Sequence, residues 1–297
     1  MANAIELVTK QLPMIDQLVK RSLLTGNLEL NSAFVRETQN AEIVQIANIA
    51  LEGLGDYSRE EGFVQGDITL TWEPYRLKHD RGRTFHLDAM DDEESLALIF
   101  ANLATVFVRE KVVPEVDAIR FATYASNAGI KKTGTLDSTT IDDAIIDAEV
   151  EVEENEFLLE TAKLYITPTL YGDIKKNKDS FSRPLVPSQN PNRNFGTYDD
   201  MEVTKVPQSR FYTAIELRNG TGTQKTGGYA KGAAGKNINF MIILPQCVIQ
   251  ITKHAKLRVF EPDVNQKADA YKVDYRLYHD AWVLKNKTNG VYCHHEA

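Results

Sequence analysis

The stretch Asp56–Glu94, DYSREEGFVQGDITLTWEPYRLKHDRGRTFHLDAMDDEE, constrains this chain more than any other. Ile68, Leu70 and Trp72 alternate with Thr69, Thr71 and Glu73, the two-residue period of a strand with one covered face. Tyr75, Leu77 and His79 extend the alternation past Pro74, which lacks a backbone donor and so excludes a central strand. Asp80-Arg81-Gly82-Arg83 predicts a turn, Thr84–Leu87 an extended return, and Asp91 with Glu94 a helix start. A hairpin of this kind has too few strands for a core of its own, and an isolated hairpin is marginal in water. It has to lie on another surface, either the rest of this chain or a second copy.

The remaining segments are read against that requirement. Ile5, Val8, Leu12, Ile15, Val19 and Leu23 approach helical spacing, with Pro13 favouring a helix that begins there. AEIVQIANIAL looks extended and has no evident companion strand beside it, so residues 26–54 read as an arm needing a partner surface. After the projection, Leu96, Ile99, Phe100, Leu103 and Phe107 form one apolar helical face, and Pro114 bends or restarts that helix before Gly129 stops it. Such a run would be about 55 Å long at 1.5 Å per residue.

Beyond it, Ser138–Glu154 reads as a helix with Ile141, Ala144, Ile145 and Ala148 inward, Lys163–Thr167 as a strand and Pro168–Lys176 as a short helix. Asn177–Asp199 is a Pro/Asn-rich loop, MEVTKVPQSRFYTAIEL is strand-like, and RNGTGTQKTGGYAKGAAGKN is expected to be poorly ordered unless a neighbour holds it. NINFMIILPQCVIQITKH is a buried strand followed by a turn. Near the C-terminus Lys256–Phe260 and Tyr271–Asp280 alternate cleanly, and Asn289-Gly290 predicts a tight hairpin returning through Val291-Tyr292. The fold class is α+β.

No catalytic or cofactor motif emerges. The Gly/Lys loop departs from GxxxxGK[ST], with Ala230 in place of the first Gly and Asn237 after Lys236. Asp88, Asp91, Asp92, Glu93 and Glu94 are accounted for by helix capping, and Cys293-His294-His295 lacks the second half of a zinc pattern. Neither GxSxG nor HExxH occurs, and His79 and His86 read as solvated or structural. A soluble metal-dependent α+β enzyme using Asp88, Asp91 and Glu94 is the rival from a different class. The net charge of −8 argues against a general nucleic-acid binder, and no apolar run reaches the length of a membrane span. Cys247 and Cys293 are expected to be thiols rather than a disulfide. Arg81 and Arg83, with Asp80, suit ion pairing across an interface.

Taken together, GLGDYSREEGF, ITLTWEPYRLKHDRGRTFHLDAMDDEES, REKVVPEVDAIRFA and KHAKLRVFEPDVNQKADAYKVDYRLYHDAWVLKNKTNGVY resemble, in that order, the major capsid protein of tailed bacteriophages with its Hong Kong-type shell fold. The resemblance implies an N-terminal arm over residues 1–53, an extended loop over 54–88 and a peripheral domain with a spine helix over 89–135. It further implies an axial domain over 136–254 and closing strands of the peripheral domain over 255–297. It implies a virion protein, made and assembled in the host bacterial cytoplasm, that forms hexamers and pentamers of a DNA-filled head. Contact with the double-stranded DNA would carry no sequence specificity, and no membrane or cofactor is involved. A portal protein at one vertex follows from the same resemblance. A separate scaffolding protein is expected because the spine helix starts near residue 91 and leaves no room for a cleaved extension.

Phe63, Trp72, Lys78, Arg81, Arg83, Glu93 and Glu94 are the assembly-interface residues expected on this reading. Lys78, Asn265 and Asn286 match no crosslinking motif, so no isopeptide bond is expected. A cellular encapsulin-like nanocompartment shell would share the fold and differ in its cargo.

Overall fold

The computed structural model describes residues 23–28, 35–37, 42–60, 62–88, 106–176, 196–198, 201–265 and 269–297. The expected helix near Pro13, the capping box at Asp91, most of the spine helix and most of the Asn177–Asp199 loop lie outside these residues.

The chain is α+β, and the strands among the described residues fall into four sheets. β1 (Val35–Glu37), β2 (Ile43–Leu51) and β3 (Ile68–Arg76) form an antiparallel sheet in that order. β4 (His79–Asp88) leaves it at once and joins β12 (Val248–Phe260) and β13 (Ala270–Val283) in the order β12-β13-β4. The largest sheet has the order β5-β14-β11-β6-β8-β7. It comprises β5 (Ile130–Thr133), β6 (Lys163–Ile166), β7 (Gly196–Tyr198), β8 (Met201–Lys205), β11 (Ile238–Ile243) and β14 (Val291–His295). β9 (Ile215–Leu217) and β10 (Tyr229–Lys231) pair within the Gly-rich region.

Three strand expectations change. The Asp80–Arg83 turn does not exist: β4 runs straight through it, with Gly82 opposite Arg276 and Arg83 opposite Tyr275. A Cβ on Gly82 would sit 2.9 Å from the Tyr275 carbonyl oxygen, so this glycine serves a close strand approach and not a bend. The hairpin is instead β2–β3, pairing Ile43 with Arg76 through Leu51 with Ile68, so AEIVQIANIAL does have a companion strand. Pro74 sits on β3, an edge strand, as its missing donor requires. The Asn289-Gly290 hairpin is also absent. Lys285–Gly290 forms a 3-10 segment, and β14 inserts between β11 and β5 rather than returning to β13.

Helix α1 (Val113–Asn127) carries two cores. Val108, Val112, Val113 and Val116 pack with Leu23, Tyr275 and Leu277 against the β12-β13-β4 sheet. Further along, Phe121, Tyr124 and Ala125 enter the large core with Tyr165 and Phe240 of the six-stranded sheet and with Phe211 from the turn after β8. Before Pro114 the chain is π-helical over Val108–Val112, and the Val113 N–H reaches the Val108 carbonyl. Proline offers no donor to the preceding turn, and widening that turn lets the helix continue through it. α2 (Ile141–Glu154) buries Ile141, Ile145, Ala148 and Val152 on one face, and α3 (Pro168–Lys176) buries Leu170, Tyr171 and Ile174. Asp137 starts α2: its Oδ1 accepts from the backbone N–H groups of Thr139 and Thr140 and from both hydroxyls. Those donors hold its carboxyl down at about 2.

Residues 23–28, inside the expected arm, are locked into the chain's own interior. Buried Asp117 on α1 accepts from the Leu24 and Thr25 N–H groups, the Thr25 hydroxyl and the Arg210 guanidinium. Arg120 donates to the Thr25 hydroxyl, Tyr165 donates to Asn27, and Gln250 donates to the Thr25 carbonyl. Burial raises the Asp117 pKa, and this donor set opposes the rise.

Gly129 ends α1 with ordinary backbone angles. A Cβ there would lie 2.6 Å from the Thr288 carbonyl carbon and 2.7 Å from the Asn289 nitrogen. Gly129→Ala is therefore expected to cost about 1–3 kcal/mol, whereas Gly172→Ala, open to space inside α3, should add roughly 0.5–1 kcal/mol. Thr25→Val, which strips Asp117 and Arg120 of a shared hydroxyl, should cost about 1–3 kcal/mol. Urea denaturation of the three variants checks all three values.

Candidate functional site

The β2–β3 ribbon is the outstanding surface. Nine paired residues at about 3.3 Å each make it roughly 30 Å long before its tip begins. At the base, Val44 and Ile46 are buried, Tyr75 packs on Trp282 at 5.6 Å and Lys285 pairs with Glu73 at 2.8 Å. Asn286 donates to the Asn48 side chain, so the ribbon is seated on the segment after β13. Toward the tip both faces open, and residues 68–72 of β3 are all exposed.

Contacts within the tip shape it. Ser58 and Gly62 exchange backbone hydrogen bonds of 3.1 and 2.8 Å, the Tyr57 and Phe63 rings meet at a tilt with centroids 4.9 Å apart, and Glu52 accepts from the Asp67 N–H. Gly62 has φ of +84°, a left-handed angle that favours glycine there. Of the thirteen exposed large apolar side chains among the described residues, eight lie in this one ribbon. They are Leu51, Leu54, Tyr57, Phe63, Val64, Ile68, Leu70 and Trp72. Scattered exposed hydrophobes are ordinary, but a contiguous set marks an interaction surface.

The residues expected at an interface separate into three groups. Phe63 is 89% exposed at the tip and Trp72 40% exposed on β3, both on the ribbon. Lys78 lies between β3 and β4, its side chain outward and its backbone N–H bound to Asp280 at 3.0 Å. Arg81 and Arg83 project from β4 onto other parts of the same chain. Arg81 pairs with Glu115 at 2.6 Å and donates to the Gly228 carbonyl, and Arg83 donates to the Lys225 carbonyl. Asp80 pairs with Arg276. Glu93 and Glu94 lie outside the described residues.

These arginines supply what the Gly-rich loop was expected to need. Glycines 220, 222, 227 and 228 take positive φ, which lets the chain fold tightly under the two guanidinium groups. Between this loop, β4 and the start of α1 lies a groove of about 790 Å³. Its cationic lining was not foreseen, because it comes from segments far apart in sequence.

Elsewhere the chemistry is structural. Cys247 and Cys293 are buried free thiols whose pKa values burial pushes up to about 12. His294 is buried against Phe240 and within 3.0 Å of the Asn239 amide, and its pKa is down at about 4. His79 meets Asp280 and not His86. Among the described residues no group of three His, Cys, Asp or Glu side chains is gathered as a metal site. Nor is any described helix long and apolar enough to cross a membrane.

No family model matches the chain, and no curated protein does. Solved structures do. One titled "Mycobacterium phage Che8" matches at 11% identity and a TM-score of 0.57, over 89% of this chain and 93% of the other. The capsid structure of the cyanophage P-SCSP1u matches at 13% identity and 0.57, over 88% and 85%. A virus-like particle from Pyrococcus furiosus matches at 12% identity and 0.55, over 96% and 97%. At such identities the likeness establishes the fold.

Replacing Arg83 with Ala removes a hydrogen bond that pins the Lys225 carbonyl. Limited trypsin digestion is expected to cut after Lys225 several-fold faster in that variant than in the parent chain, because cleavage tracks local opening.

Proposed function

We propose that this chain, which has the fold of phage capsid proteins, is a shell subunit. It assembles as hexamers and pentamers into the icosahedral head that encloses the double-stranded DNA of a tailed bacteriophage. The observation that carries this reading is the ribbon: a single β2–β3 hairpin holds eight exposed large apolar side chains. Fully burying each is worth about 1.5–3 kcal/mol. A neighbour that covers only a few of them therefore gains enough to bind, and repeated head-to-tail contacts close into rings.

In this reading the extended loop is β2–β3. The β12-β13-β4 sheet with the first half of α1 forms the peripheral domain, and the six-stranded sheet with α2 and α3 forms the axial one. The chain's net charge of −8 suits a wall that should not grip packaged DNA. A portal at one vertex and a separate scaffolding protein are the partners such a head would take, its place is the virion, and its role is structural rather than catalytic. A nanocompartment shell of the same fold is the second reading, which the nature of the contents distinguishes.

Negative-stain microscopy with light scattering, on the purified protein alone and with a co-expressed scaffold candidate, tests the proposal. Closed shells, tubes or rings are expected, and a monomer under both conditions overturns it. Co-purified DNA points to a head, a co-purified enzyme to a nanocompartment. Leu54→Ser combined with Phe63→Ser, at exposed tip positions, should abolish particles while leaving the melting temperature of the subunit unchanged.

A further inference from the structure

The groove between the Gly-rich loop, β4 and the start of α1 has a chemistry of its own. Six guanidinium or ammonium groups line it against two carboxylates, Glu110 and Glu115. Arg81 is matched to Glu115 and Arg210 to Asp117. The other four cations have no carboxylate partner among the described residues. Arg83 and Lys231 meet only neutral groups, the Lys225 carbonyl, the Asn237 amide oxygen and the Tyr212 ring. Lys111 and Arg218 are exposed. Beneath this rim the floor is aromatic, with Phe85 against Phe107 at 4.8 Å and Phe107 against Tyr275 at 5.8 Å.

The ribbon tip carries the opposite character. Glu52, Asp56, Glu60 and Asp67 surround it against Arg59 alone among the described residues. At its centre is the Tyr57–Phe63 ring pair, with Phe63 89% exposed. An acidic rim around exposed aromatics thus mirrors a basic rim around an aromatic floor.

We infer that the basic groove is the seat for the ribbon tip of a second copy of this chain. The inference rests on the shell-subunit reading and names where its loop lands. Complementary charge fixes register and speeds encounter, while aromatic burial supplies much of the affinity. Because donor and acceptor are different patches, each copy offers both, and the contact propagates from one subunit to the next. It also gives the Gly-rich loop a purpose: Arg81 and Arg83 hold it as one wall of the seat.

Charge exchange tests this. Lys111→Glu with Arg218→Glu in the groove, and Asp56→Lys with Glu60→Lys at the tip, each should lower particle yield roughly tenfold or more. All four substitutions combined should restore it, and melting curves of the subunits should stay unchanged throughout. Impairment by each pair without restoration by the combination overturns the inference. So does normal assembly of both pairs when Leu54→Ser with Phe63→Ser fails to assemble, an outcome that leaves the shell reading intact. Loss of binding to a short DNA duplex in the groove variant, with assembly unaffected, makes the groove a nucleic-acid site instead. If the parent chain forms no particles, the shell reading fails and this inference falls with it.

Discussion

Everything else in the chain depends on helix α1 being shared by two cores and tied by Asp117. A carboxylate with no solvent exposure is tolerated only when donors surround it, and here they come from two distant parts of the chain. Leu24 and Thr25 arrive from the N-terminal side, Arg210 from the turn after β8, and the helix supplies the acceptor. Removing one donor leaves the others around an ill-matched charge, so the tie specifies an arrangement more than it adds stability. With α1 so placed, its first half lies on β13 and its second half on the large sheet.

The same economy governs the Gly-rich loop. Such a segment has few apolar side chains and cannot bury enough surface to order itself. Two arginines on β4 accomplish the ordering by donating to its carbonyls, with Glu115 orienting Arg81. Arg81 and Arg83, expected at an interface, thus make their contacts inside one chain, where they build a wall of the basic groove.

The ribbon presents the reverse situation. Its base is seated through Tyr75, Glu73 and Asn48, yet residues 68–72 face solvent on both sides. A two-stranded ribbon without a covering layer is unstable unless association covers it, and an exposed edge strand invites pairing. Pro74 blunts that edge near the base. The apolar tip remains exposed.

Much of this was legible in the residues. Ile141, Ala144, Ile145 and Ala148 announced α2, Pro168–Lys176 announced α3, and Val273, Tyr275, Leu277 and His279 announced the buried face of β13. Phe63 and Trp72 were expected at an interface on the family resemblance, and both are exposed on the ribbon. Periodicity reports that a face is covered, and it is silent on what covers it. Hence β4 read as half a hairpin when its partner lies roughly 190 residues further on, and β14 read as a return strand when it enters another sheet. Gly82 looked like a turn because sequence does not distinguish a glycine that bends the chain from one that admits a neighbour's carbonyl. Arg81 and Arg83 were visible as charges, but a charge finds its partner only in three dimensions. Local chemistry chose the elements and left the ribbon apolar; long-range pairing alone decided which strands meet and where the basic groove lies.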